Sequence, residues 1–134
     1  MYISATVYKT SIDFEIKTYD IDVAGHVNNI VYVRWLEDLR NKLFSLILPV
    51  ENLLKEKFYT VVTSTIINYK KQLKLGDKPI GTMNVEYVKH GLMNLHFNFV
   101  NKGSICVHGE QKCVVMNLNT GLMDKEKLKL IFNE

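Results

Sequence analysis

The sequence predicts an α+β fold of one domain, residues 1–134, in which a single long helix lies against an antiparallel sheet of five strands. Three observations carry that expectation. Along the chain the patterns run as one extended segment, one long helical segment, then four extended segments separated by short turn signals. The helical segment is apolar over a face so wide that only burial against the sheet can cover it. With 134 residues, 47% of them hydrophobic and 23% charged, the chain can bury one real core, and no repeat, low-complexity tract or linker divides it.

Val7 to Tyr19 contain the first strand, because Ile12, Phe14 and Ile16 alternate with Ser11, Asp13, Glu15 and Lys17. A polar, glycine-containing loop follows, Asp20 to Asn29. From Ile30 to Leu48 the residues Tyr32, Leu36, Leu39, Leu43 and Leu46 or Ile47 recur at three- and four-residue steps, and Val33, Trp35 and Phe44 widen the face. A deeply buried helix is expected there. Asn28 or Asn29 caps its start, Asp38 and Lys42 form an i,i+4 pair, and Pro49 lies just past its end. Val50 to Lys57 reads as a short helix or an irregular connection.

Strands are expected over Tyr59 to Leu75, Pro79 to Lys89, Leu92 to Val100 and Ser104 to Leu118. Gly76-Asp77, His90-Gly91 and Lys102-Gly103 separate them, each short enough for a hairpin. The third of these strands is the cleanest: Met93, Leu95, Phe97 and Phe99 alternate with Asn94, His96 and Asn98, so one face meets the core. Asn119-Thr120-Gly121 closes the last strand, and Asp124 to Phe132 reads as a short helix with Leu128 and Ile131 on one side.

Composition excludes several function classes. The net charge of +3 comes from 17 basic and 14 acidic residues scattered along the chain, without the concentrated basic face of a nucleic-acid binder. No apolar stretch is long enough to span a bilayer, and the first residues lack a basic segment followed by an apolar one, so a cytoplasmic location away from membranes is the default. Cys106 and Cys113 lie seven apart in one strand, on opposite faces, which argues against a disulfide between them. His90, His96 and His108 are dispersed, with no spacing suited to zinc, so no metal is expected. The Gly-x-Ser-x-Gly elbow of a serine hydrolase is missing.

Chemistry concentrates in Tyr19-Asp20-Ile21-Asp22-Val23-Ala24-Gly25-His26-Val27-Asn28-Asn29 and in the helix that follows, with Tyr32, Trp35, Glu37 and Arg40. A helix N-terminus offers unpaired N–H groups and a partial positive charge, which can stabilise the oxyanion formed when a thioester carbonyl is attacked. A carboxylate held beside it can act as nucleophile or as general base toward water. Both parts are present in one loop.

The stretch resembles the signature of the 4-hydroxybenzoyl-CoA thioesterase family of hotdog proteins, Asp-x-Asp-x-x-Gly-x-Val before a helix carrying Tyr and a second aromatic. Asp20, Asp22, Gly25, Val27, Tyr32 and Trp35 match it. The run Asn68-Tyr69-Lys70-Lys71-Gln72-Leu73-Lys74-Leu75-Gly76-Asp77 also looks like that family's strand ending, and the order of elements agrees with a hotdog domain over nearly the whole chain. The resemblance implies an acyl thioester hydrolase needing no cofactor. Asp22 would be the catalytic carboxylate, and the backbone N–H of Asn29 would polarise the carbonyl. Family members pair so that the site lies between subunits, which implies a homodimer or a dimer of dimers, with Tyr59 to Ser64 of the second subunit lining the acyl pocket. His26-Val27-Asn28-Asn29 is similar to a segment of acyl-acyl-carrier-protein thioesterases. The substrate is therefore expected to be an acyl-CoA or an acyl-carrier-protein thioester, and the Asn29 side chain is a possible participant.

Each residue also has a plainer reading. Asp20 most simply bonds the loop backbone as an Asx-type turn. Gly25 supplies a conformation other residues resist, which would also allow close approach of an acyl carbonyl. His26 is a candidate acid–base group by residue type, but a loop histidine more often packs or hydrogen-bonds. Glu37 lies beside Arg40 and Asn41 on the helical wheel and suits an ion pair at a buried interface, with catalysis as a reserve role. Tyr32, Trp35 and the leucine stripe are most simply core. Gly25, His26, Val27, Asn28, Tyr32 and Tyr59 are the remaining candidates for substrate contact. Lys70, Lys71 and Lys74 could meet coenzyme A phosphates, although charge at a strand end is ordinarily a solvated face. Two rival classes remain, a hotdog dehydratase, whose typical Asp-plus-His helix signature is not evident, and a non-catalytic acyl-thioester binder. On replacing Asp22 by Asn, loss of thioester hydrolysis with retained binding supports the enzyme, and unchanged turnover removes Asp22 from the mechanism.

Overall fold

The computed structural model describes residues 7–132. Its elements are β1 (Lys9–Asp13), a 3₁₀ turn (Thr18–Asp20), α1 (Asn29–Ile47), α2 (Val50–Lys55), β2 (Phe58–Tyr69), β3 (Ile80–Lys89), β4 (Leu92–Asn101), β5 (Ser104–Asn117), β6 (Met123–Asp124) and α3 (Glu126–Phe132). One antiparallel sheet runs β1-β3-β4-β5-β2, and α1 lies across it against β1 and β3. The α+β class and hotdog arrangement expected from the sequence are the ones observed. The strand count is six rather than five, because β6 pairs with β5 over only two residues, too few to leave an alternation in the sequence.

The sheet has two unlike faces. Met93, Leu95, Phe97 and Phe99 of β4 point toward α1 and are buried, together with Met83 and Val85 of β3 and Val107 of β5. Onto them α1 lays Tyr32, Trp35, Leu36, Leu39, Leu43 and Phe44. Phe14 stacks on Trp35 with ring centroids 4.8 Å apart, and Phe99 meets both rings. The opposite face carries Asn98, His96 and Asn94, the last hydrogen-bonded to Glu86 and Glu110. The turns His90-Gly91 and Lys102-Gly103 both adopt positive φ at their two central residues, the backbone that joins strands in a two-residue hairpin. Gly109 is required by closeness: a Cβ there would lie 1.9 Å from the Ile66 carbonyl oxygen and 2.9 Å from the Phe97 ring.

Several local expectations need correction. Val33 and Leu46 are 48% and 67% exposed, so α1 is amphipathic rather than deeply buried on all sides. Val33 lies about 100° around the helix from buried Tyr32, whereas Leu46, seven residues from buried Leu39 and so on nearly the same side, is exposed in the last turn of the helix. Asp38 and Lys42 form no pair: Lys42 donates instead to the Ser11 carbonyl, which holds α1 to β1. The first strand ends at Asp13, although Phe14 and Ile16 stay buried beyond it. β2 ends at Tyr69, because the N–H groups of Lys70 and Lys71 both turn to the Cys106 carbonyl. Cys106 and Cys113 are buried free thiols. Among the described residues no helix is long and apolar enough to cross a membrane.

Candidate functional site

The loop between the 3₁₀ turn and α1 is tied to itself. Asp20, 6% exposed, uses Oδ2 to accept the Lys17 N–H at 2.8 Å, while its carbonyl accepts the Asn28 N–H at 2.9 Å. Inside that closure Ile21 pairs with Val27, and the Asp22 N–H donates to the His26 carbonyl at 2.8 Å. The Gly25 N–H returns to the Asp22 carbonyl at 3.0 Å, with Gly25 at φ +81°, a region that glycine enters without steric cost. The segment after β2 clamps the loop from outside: Val27 N–H donates to Leu73, and Leu75 N–H donates to Gly25.

Within this frame the two aspartates have different tasks. Asp20 is buried and spent on the backbone, as its plain reading anticipates. Asp22 is exposed, and its Oδ1 accepts the N–H groups of Ala24 at 2.9 Å and His26 at 3.1 Å. Those two bonds fix the carboxylate's orientation and leave Oδ2 without a hydrogen-bond partner among the described residues.

Asn28 is the helix cap, with extended backbone and a side chain that accepts the Ile30 N–H at 3.3 Å. Its carbonyl takes the Val31 N–H at 2.9 Å. The Asn29 N–H, the first of the helix, has no partner among the described residues. An unpaired amide at the positive end of a helix of 19 residues is an anion-seeking group.

Asp22 and Asn29 line one cavity of about 560 Å³, together with His26, Val27, Asn28, Tyr32, Tyr69, Lys70, Lys71 and Gln72. Tyr32 forms its inner wall. The residue is buried, and desolvation holds its phenol well above the ordinary tyrosine range, so the ring stays neutral. It meets the rings of Tyr69 at 5.6 Å and Trp35 at 5.4 Å edge to face. Lys70 and Lys71 bring positive charge to the rim.

The cavity thus gathers eight of the sequence-derived candidates: Asp22, His26, Val27, Asn28, Asn29, Tyr32, Lys70 and Lys71. Gly25 shapes the loop from behind and does not line the space. Glu37 is exposed two turns further along α1. Tyr59 is opposite Met116 at the far end of β2, ten residues before Tyr69. Tyr69 and Gln72 are lining residues that sequence reasoning passed over; their signal was membership of the Tyr-Lys-Lys-Gln run. Among the described residues no group of three or more His, Cys, Asp or Glu is placed to hold a metal ion.

Comparison with known proteins gives the family and the fold. Residues 16–130 match the family model described as the thioesterase-like superfamily. Similar folds include a DHNA-CoA thioesterase of Staphylococcus aureus, 20% identical, with a TM-score of 0.81 over 93% of this chain and 84% of that one. An acyl-ACP thioesterase of Bacteroides thetaiotaomicron is 17% identical, with a TM-score of 0.83 over 90% of this chain and 51% of that one. A thioesterase of Thermus thermophilus, solved with coenzyme A and Zn, is 21% identical, with a TM-score of 0.76 over 92% of this chain and 97% of that one. No curated protein matches the chain significantly by sequence.

Proposed function

This chain belongs to the thioesterase-like superfamily and is a thioester hydrolase; we propose that its substrates are acyl-CoA thioesters and that Asp22 is its catalytic carboxylate. The observation that carries the reading is the shared cavity of Asp22 and the unpaired Asn29 amide. A thioester carbonyl seated between them has a carboxylate on one side and a hydrogen-bond donor for its oxygen on the other.

In this mechanism Asp22 takes a proton from a water molecule whose oxygen attacks the carbonyl carbon, or attacks that carbon itself. Negative charge moves onto the carbonyl oxygen, where the Asn29 N–H and the helix N-terminus stabilise it. The carbon–sulfur bond then breaks, and the thiolate leaves and takes up a proton. On the water route the acid is released directly, whereas direct attack leaves an acyl–Asp22 anhydride that a water molecule then hydrolyses to the acid and the free carboxylate. Neither route needs a cofactor. His26 and Asn28 border the reacting group, and the Asn29 side chain lies beside it.

Lys70 and Lys71 support coenzyme A as the carrier, because cations at the cavity rim suit its phosphates. A homodimer or dimer of dimers is supported by β2, a twelve-residue edge strand whose outer row of N–H and C=O groups has no partner strand among the described residues. Pairing there would bring Tyr59 of a second copy toward the acyl group. The two unpaired thiols are in keeping with a cytoplasmic setting.

Replacing Asp22 by Asn tests the assignment. Thiol release from acyl-CoA should fall about 10²- to 10⁴-fold, with acyl-CoA binding retained. Turnover within a few-fold of the parent enzyme would remove Asp22 from the chemistry.

A further inference from the structure

One polar assembly reaches from the buried face of the sheet to its surface, and no step of hydrolysis uses it. Arg40, about three turns along α1 from Asn29, donates from Nη1 to Oε1 of Gln111 at 2.8 Å. Gln111 in turn donates from Nε2 to Oγ1 of Thr65 at 3.0 Å. Gln111 is 1% exposed, and Arg40 is half-buried. The ion pairs among the described residues are Glu15–Lys17, Glu56–Lys127 and Glu126–Lys129, so Arg40 belongs to none of them. Its immediate partner is a neutral amide, where an acidic residue would have cancelled the charge. A guanidinium has five N–H donors in a planar fork, and among the described residues one of them is used. Removing such a cation from water without an anion is costly.

The position of this cation connects it to the catalytic cavity. At one level α1 and β2 meet through Tyr32 and Tyr69; at another they are bridged by Arg40, Gln111 and Thr65. Tyr32 and Arg40 are eight residues apart on α1, about 12 Å along a helix. Tyr69 and Thr65 are four residues apart on the same face of β2, about 13 Å along a strand. The two lengths agree. Between these levels α1 leans toward β1 and β3, and the inward side of β2 is left only partly covered: Tyr69 and Thr65 are exposed and Ile67 is half-buried.

We propose that the trough between α1 and β2 receives the acyl chain and that Arg40, at its far end, binds a carboxylate carried by that chain. The preferred substrates are then CoA thioesters of dicarboxylic acids. This inference rests on the hydrolase reading and adds to it a substrate class. Gln111 and Thr65 act as positioning residues, holding one edge of the guanidinium so that the remaining donors face the ligand.

The test compares kcat/KM for thiol release from ω-carboxyacyl-CoA and methyl-ended acyl-CoA thioesters of matched, graded length. The parent enzyme should favour the carboxylate at the fitting length by about 10- to 100-fold. Arg40→Met should abolish that ratio. Arg40→Lys should keep part of it, since charge survives but the planar fork is lost. A parent enzyme with no preference, or a ratio unchanged in Arg40→Met, overturns the proposal while leaving the hydrolase reading intact. If Arg40 serves instead to pair with Glu37 of a second copy, Glu37→Gln and Arg40→Met will both weaken the dimer in a sedimentation measurement, and no carboxylate preference will be seen; that outcome also overturns it. Should the parent release thiol from neither class, the hydrolase reading falls. Titration with non-hydrolysable thioether analogues then decides the proposal, and equal affinity for carboxylate-ended and methyl-ended forms sinks it.

Discussion

At its C-terminal end α1 is packed: the Leu48 N–H donates to the Phe44 carbonyl at 2.7 Å, Pro49 follows, and Leu43, Phe44, Leu48 and Leu53 are buried around the terminus. At its N-terminal end the same helix leaves the Asn29 amide unpaired and surrounds it with Asp22, His26, Asn28 and two lysines. One end is a packed anchor. The other holds bonding capacity in reserve for a ligand, and the anchor is what allows that reserve to be held still. Stability and chemistry are therefore expected to separate along a single element.

The sharpest way to break that separation is Asn29→Pro. Proline suits the first helical position, and Asn28 already has the extended backbone that a following proline demands, so the change deletes one N–H and spares the helix. Thiol release should fall about 10²- to 10³-fold with little change in thermal unfolding. Asn29→Ala keeps the amide and should fall much less; an equal loss would shift the role to the side chain.

Leu43→Ala attacks the anchor. A fully buried leucine replaced by alanine should cost about 2–5 kcal/mol, read as a lowered denaturant midpoint, while kcat per folded molecule is unchanged. A large drop in kcat would mean that the two ends are coupled.

The pH dependence of unfolding probes the packed interior directly. Burial pushes the Cys113 thiol up to about 11, with the nearby Arg40 charge opposing the shift. The folded state therefore holds that proton after the unfolded chain has begun to lose it. The stabilisation is complete below pH 9, the ordinary value, and declines as pH rises toward 11, by about 1–3 kcal/mol. Cys113→Ala should flatten the loss over that window in a series of denaturant melts. Tyr32, raised by the same cause, extends the decline at higher pH in both proteins.

The smallest effect is expected at the rim. Lys70→Ala and Lys71→Ala should each raise KM for acyl-CoA a few-fold, more at low ionic strength than at high, with kcat nearly unchanged. A salt-independent KM would place the phosphates elsewhere.

Much of this arrangement was legible in residue patterns. The three- and four-residue steps of Tyr32, Leu36, Leu39 and Leu43 located α1, and the alternation through β4 located the buried face, because burial acts on each residue separately. Val33 misled because apolar character does not say which side of a helix meets the sheet, and Leu46 because a position on the buried side does not say where along the helix the covering ends. β6 was invisible because pairing over two residues leaves no period. The resemblance selected Asp22 over Asp20, but the physical difference between them, one carboxylate buried in backbone bonds and the other bordering a cavity, is a tertiary fact. The joining of Arg40 to Gln111 across 71 positions had no local signal at all.

The closure of Asp20 on Asn28 has a consequence for how such an enzyme can diversify. The loop takes its shape from its own backbone and from the Leu73 to Leu75 segment, and Leu73 is in turn hydrogen-bonded to Tyr32. On the proposed reading, the clasp that holds Asp22 and the walls that would measure the acyl chain are largely separate parts of the fold. Descendants could exchange β2 or the outward side chains of α1, and so acquire new acids to release, without re-inventing the reaction. A graft of the clasp with its 73–75 brace onto a distant relative would be expected to carry the chemistry across and leave the host's selectivity in place.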